Sequence, residues 1–262
     1  MSNPSTADST HGVAEEVLIR SVPVERGLQW LVAGWQLFLK APGVWLGITI
    51  VQLIAMLLIG AVPVIGSLAV AFLMPIVFGG MMLGCRALEL GRVLRFDCLF
   101  AGFQQQTGQL AIIGLWSMVG HAVIGAVVFA IGGGAMLSGM MSGVMFGAGP
   151  GALMALGGML MALLVGALLL VPLAMALWFA PALVIFAGLA PAAALKASFD
   201  GSMKNVAPFL IYGIVLAVLL LLALLPIMLG LLVLIPVLTG SIFASYGDIY
   251  GHASSPARSD TP

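Results

Sequence analysis

Three stretches of this chain contain no Asp, Glu, Lys or Arg: Ala41 to Cys85, Cys98 to Leu195 and Asn205 to Gly247. About 20 apolar residues suffice to cross the ~30 Å hydrocarbon core of a bilayer, and each stretch is far longer than that. With 62% hydrophobic and 7% charged residues against the roughly 25% charge of a soluble domain, water is excluded as the main solvent. The sequence therefore specifies an all-α fold, a polytopic bundle of transmembrane helices.

The first stretch divides at Pro63 and Gly66 into spans over about 43–62 and 67–88, and the third divides at Pro226 into spans over about 209–225 and 227–246. The middle stretch holds either two spans, about 109–131 and a kinked 152–188, or four. Two spans make six in all and leave Gly132 to Gly151 as an outer connection, or as a short re-entrant or outer-leaflet helix. Four would make eight, with near-loopless turns at Pro150-Gly151 and Pro172. Six is favoured. Either even count, with the N-terminus cytoplasmic, puts every basic residue (Arg20, Arg26, Lys40, Arg86, Arg92, Arg95, Lys196, Lys204, Arg258) on the cytoplasmic side, as the positive-inside rule requires. Residues 20–250 read as one transmembrane domain in the inner membrane. Residues 1–19 and 251–262 read as polar, disordered cytoplasmic tails.

The prolines echo along the chain. Pro23, Pro42, Pro63 and Pro75 recur in order as Pro191, Pro208, Pro226 and Pro236, which suggests a parallel internal repeat of amphipathic helix, span, hairpin and broken span. In the first prelude Glu25, Gln29, Ala33, Gln36 and Lys40 advance by three or four residues opposite Leu28, Leu31, Trp35, Phe38 and Leu39. In the second, Lys196, Asp200 and Lys204 form a stripe opposite Leu195, Phe199 and Met203. Both read as helices lying at the cytoplasmic interface, with Arg26, Trp30, Trp35, Lys40, Lys196 and Lys204 as the residues that meet lipid headgroups. A weaker third candidate runs from Arg86 to Phe103.

The runs GLQWLVAGWQLFLKAPGVWL, PVIGSLAVAFLMPIVFGGMMLGCRALELGR and RFDCLFAGF resemble a family of uncharacterised proteobacterial inner-membrane proteins. The later ALKASFDGSMKNVAPFL and SYGDIY are similar to segments of a wider group, including the membrane domains attached to some glycerophosphodiester phosphodiesterases. The resemblance implies a six-span inner-membrane protein and supplies no catalytic residues; with no phosphodiesterase domain in the chain, that activity is not implied.

Candidates for chemistry are few. His121 and Gln52 are polar residues expected near the middle of the membrane, the default position for a functional site, although one interhelical hydrogen bond would also account for either. Gly139, Gly143, Gly147 and Gly151 recur every four residues, and Gly158, Ala162 and Gly166 repeat the device. Such spacing makes a smooth helix face for close packing, within the chain or between copies. Pro75, Pro172 and Pro236 are the expected helix breaks. Met136, Met140, Met141 and Met145 could bind Cu(I), but methionine is also an adaptable packing residue. Cys85 and Cys98 read as reduced packing residues. No nucleotide loop, zinc-binding HExxH or nucleophile elbow is present. Neutral net charge gives no field for nucleic acid.

These features suggest no cofactor and no enzyme. They point to a membrane scaffold or partner-binding protein, held in the bilayer and open to a homo-oligomeric, membrane or cytoplasmic partner. The alternative is a small-solute or lipid-related transporter with a midplane site near Gln52 and His121. The span count is checked by a C-terminal alkaline phosphatase fusion at Gly149, active with six spans and inactive with eight.

Overall fold

The computed structural model describes residues 18–226 and 228–251. The expected tails therefore lie outside the described residues except for Leu18, Ile19 and Gly251, and so does Arg258. Ten helices make up the described chain: α1 (Arg26–Lys40), α2 (Pro42–Gly60), α3 (Ile65–Glu89), α4 (Cys98–Ala101), α5 (Thr107–Phe146), α6 (Ala148–Trp178), α7 (Ala180–Ala187), α8 (Pro191–Lys204), α9 (Val206–Leu224) and α10 (Leu231–Tyr250). The fold is an all-α polytopic bundle. Six segments are long and apolar enough to cross a membrane: α2, α3, α5, α6 continued by α7, α9 and α10.

The two ends of the chain repeat one order of elements, a short helix followed by a helical hairpin whose second arm contains a proline, Pro75 in α3 and Pro236 in α10. Proline at the first position opens both α2 and α8, where its missing N–H costs nothing. Both hairpin turns place a non-glycine residue at positive φ just after a proline, Val64 (φ 62) after Pro63 and Met228 (φ 64) after Pro226. The packing of the two short helices differs. α1 lies on α9 and α10, whereas α8 lies mainly on α6 and α7.

That packing changes what α1 is. Gly27, Trp30, Leu31, Gly34, Leu37 and Phe38 form a buried face. A Cβ at Gly34 would overlap the Val237 carbonyl oxygen and crowd the Ser241 backbone nitrogen. A Cβ at Gly27 would overlap the carbonyl of Pro208. Trp30, expected among headgroups, is 1% exposed. Its ring centroid lies 5.2 Å from that of Phe209 and 6.0 Å from that of Tyr212. A second apolar stripe of α1, with Leu28, Val32, Trp35 (46%) and Leu39, is the exposed one. The sequence pattern had merged two apolar faces into one. The third expected interfacial helix does not form: α3 ends at Glu89, Gly91 follows at φ +70, and only the four-residue α4 comes before Gly102.

The middle stretch departs most from expectation. Gly132 to Gly151 is neither a connection nor a separate short helix, because α5 runs unbroken through Phe146 and α6 starts at Ala148. Gly147 alone makes the turn, at φ +94, where a Cβ would be strained. Some of the small residues pack between the arms of this hairpin. A Cβ at Gly139 would meet Ala155 and the Gly151 carbonyl, one at Gly151 would meet Gly143, one at Gly158 Ala135, and one at Gly166 Val128. Ala162 is fully buried.

The hairpin is longer than one bilayer needs. α5 has 40 residues, about 60 Å at 1.5 Å per residue. It pairs antiparallel with α3, Leu110 lying beside Gly79 and Gly114 beside Phe72. His121 shares a cavity with Ser67, near the start of α3, so 25 residues, about 37 Å, continue past that point. No hydrophobic side chain between residues 114 and 176 joins the main core cluster.

Because α1 is seated on α10 by backbone contact at Gly34, Gly34→Leu should lower stability by about 1–3 kcal/mol or more, the cost of overpacking. Thermal unfolding in mild detergent should show a lowered Tm, while Gly43→Leu, where a Cβ meets nothing within 4 Å, should leave Tm near wild type.

Candidate functional site

Gln52 and His121, the two polar residues expected near the middle of the membrane, line two separate cavities. On α2 the buried face carries Trp45, Ile48, Thr49 and Gln52. The Thr49 hydroxyl donates to the Trp45 carbonyl at 2.8 Å, the local bond that quiets a threonine inside a helix. Gln52 is 7% exposed, its Oε1 has no partner among the described residues, and it lines a cavity of about 190 Å³ with Val70, Val77, Phe100 and Phe103.

His121 lines a different cavity, of about 440 Å³, with Ser117 one helical turn away on α5, Ser67, Ala71 and Pro75 of α3, and Leu177, Trp178 and Pro181 beyond. His121 Nδ1 lies 2.7 Å from the Ser117 carbonyl oxygen. A carbonyl only accepts, so Nδ1 carries the hydrogen, and in the neutral imidazole Nε2 is then the acceptor. No described residue bonds Nε2. The Ser117 hydroxyl sits 3.4 Å from Nδ1, a marginal contact. The two cavities lie against different faces of α3 and share only Val70, so Gln52 and His121 do not form one site.

The prolines act through the carbonyls they leave. Pro75, Pro172 and Pro236 all sit inside continuous helices. The helix break expected at Pro172 falls instead at Phe179, between α6 and α7, where Pro181 follows two residues later. Ser198 of α8 repairs the interruption. Its hydroxyl donates to the Met175 carbonyl at 2.7 Å and accepts from the Phe179 N–H at 2.9 Å. In a medium without water such a graft is how a broken helix keeps its backbone groups paired.

Charged residues gather at the ends of the helices. Asp248 of α10 accepts from Arg26 Nε at 2.8 Å, from a second guanidinium nitrogen of the same arginine, and from Trp30 Nε1 at 2.7 Å. The bidentate geometry is the strong form of this pair, and the bond to Asp248 holds the Arg26 guanidinium above its already high value. Lys40 Nζ donates to the Leu88 carbonyl at 3.1 Å, Lys204 Nζ to that of Ile19 at 2.8 Å, and Lys196 is exposed. Arg95 and Asp97 pair at 3.1 Å on the surface. Asn205, 1% exposed and overlooked in the charge pattern, clips the N-terminal segment: Oδ1 accepts from the Val22 N–H, and Nδ2 donates to the Arg20 and Gly201 carbonyls. Its place between an amphipathic helix and a span was the available signal.

Cys85 and Cys98 are buried free thiols. Burial, helped by the neighbouring Asp97 carboxylate, pushes the Cys98 thiol up to about 12, which keeps it neutral and unreactive at ordinary pH.

An inner-membrane protein of Burkholderia thailandensis (strain E264), designated probable, is 31% identical to this chain over 202 residues, which cover 74% of the chain and 73% of that protein. No family model matches the chain. No solved structure matches it either.

Replacing Asp248 by Asn should leave the Arg26 guanidinium and the Trp30 N–H competing for a neutral acceptor and cost about 1–3 kcal/mol. A lowered Tm in detergent would show it. The exposed Arg95–Asp97 pair, broken by Asp97→Asn, should shift Tm by far less, in line with about 0–1 kcal/mol for surface pairs.

Proposed function

The chain belongs to the family of that inner-membrane protein and is a multi-pass protein of the inner membrane, and we propose that its role is non-enzymatic: a scaffold that self-associates through the outer part of the α5–α6 hairpin. The supporting observation is a mismatch of length and polarity. The hairpin arms are about 60 Å long, twice the hydrocarbon thickness, yet no charged residue occurs between Asp97 and Lys196. A helix that is apolar on every side belongs inside lipid or inside protein. Tilting alone would need roughly 60°, beyond the 0–40° range of membrane helices.

A second copy supplies the missing cover. Once the glycines facing α6 are used up, α5 still presents Ala122, Ala126, Ala130 and Gly134 at four-residue intervals, all exposed. Small residues at that spacing allow two helices to approach closely in a membrane. Met136, Leu137, Met140 and Met141 continue the exposed surface. Orientation follows the positive-inside rule, with both ends of the chain and the Arg26–Asp248 cluster on the cytoplasmic side. The spans offer too few titratable groups for membrane-embedded catalysis. The likeness of the late segments to phosphodiesterase-linked membrane domains contributes no activity to this reading.

The test is oligomeric state in mild detergent and in nanodiscs, by native mass spectrometry. Wild type should run as an oligomer, and Ala126→Leu with Ala130→Leu should shift it toward monomer without lowering expression in the membrane. A monomeric wild type would remove the proposal.

A further inference from the structure

We propose that the cavity between α3, α5 and α6–α7 is a binding site for an uncharged amphiphile that carries a hydroxyl group and enters from the bilayer. The inference goes beyond self-association, since none of Ala122, Ala126, Ala130 and Gly134 lines the cavity. At about 440 Å³ the space falls within the roughly 300–1,000 Å³ of small-molecule sites. Val70, Met74, Phe78, Leu177 and Ile242 give it the apolar walls that an alkyl chain needs.

The polar groups on the walls determine the ligand class. The His121 tautomer is fixed by its bond to the Ser117 carbonyl, which leaves Nε2 as an acceptor with no described partner. Pro75 and Pro181 line the same cavity, one on α3 and one at the start of α7. Trp178 also lines the cavity, with its Nε1 enclosed in the wall and without a partner among the described residues. Unmet groups of this kind are costly away from water.

The polar group this leaves in an otherwise apolar lining is the His121 acceptor. A hydroxyl donates to such an acceptor, so an alcohol meets the need. A ketone or ether has no hydrogen to give and offers His121 nothing. No Lys or Arg lines the cavity, which leaves a carboxylate or phosphate without a counter-charge.

The experiment uses the full chain in nanodiscs and three photo-reactive probes of equal chain length, each with a chain diazirine and a terminal alkyne: a hexadecanol, its methyl ether and the corresponding fatty acid. Labelled peptides are identified by mass spectrometry. The alcohol should label peptides containing Met74–Phe78 or Ala174–Trp178 about five-fold more than the ether, the worth of roughly one hydrogen bond. His121→Leu should bring alcohol labelling down to the ether level, and His121→Gln, which retains an acceptor, should keep more than half, with both variants monodisperse. Should His121→Leu fail to fold, the comparison of alcohol with ether on wild type decides alone. Equal labelling by alcohol and ether, labelling by the acid as strong as by the alcohol, or no labelling at these peptides would each overturn the proposal.

Discussion

The seat of α1 on α10 joins the two ends of the fold. Inside a bilayer, lipid tails are as apolar as leucine, so helices gain little by hiding hydrophobic surface and associate through close packing and paired polar groups. Gly34 lets the backbone of α1 reach Val237 and Ser241, while Arg26 and Trp30 close on Asp248, 222 and 218 positions further along the chain. Asn205 and the Arg20 N–H bond to Ile249 add a second clasp nearby. Together these contacts hold α9 and α10 against the start of the chain and bring Phe209, Tyr212 and Trp30 into one aromatic cluster.

The central hairpin obeys a different economy. Its arms are stitched to one another by small residues over nearly their full length, yet only its inner end reaches the core through Leu110, Ile113 and the α6–α7 junction. The site-bearing region lies where the two regimes meet. There α3 carries Pro75 inside a continuous helix, and the helix of α6 gives way to α7 at Phe179 before Pro181, with both prolines lining the cavity. Ser198 repairs one side of the junction from α8, so α8 is a structural brace there with Lys196, Asp200 and Met203 left exposed.

Much of this architecture is visible in the residue string because membrane insertion is governed by local composition. Spans at α2, α3, α9 and α10 follow from charge-free length and from prolines at the turns. Trp30 was misread because a tryptophan beside Arg26 has the same local signature whether it faces headgroups or a neighbouring helix. The outer connection at Gly132 to Gly151 was misread for a related reason. Glycine weakens a helix in water, but in this hairpin Gly139 and Gly151 are what let the two helical arms approach closely. Ser198 and Asn205 carried no strong signal, since their value lies in partners 19 to 185 positions away.

The sequence by itself determined the solvent, the helical class and the set of segments able to span a bilayer, because transfer into hydrocarbon depends on each segment's own side chains and backbone. It also showed the shared order of the two ends, through the proline spacing. Only the tertiary structure decided which face of α1 is inside, that α5 continues for 40 residues, and that Gln52 and His121 open into separate cavities. Those outcomes depend on which backbones can approach one another and which polar groups then find partners, and both are properties of pairs of helices that no single segment encodes.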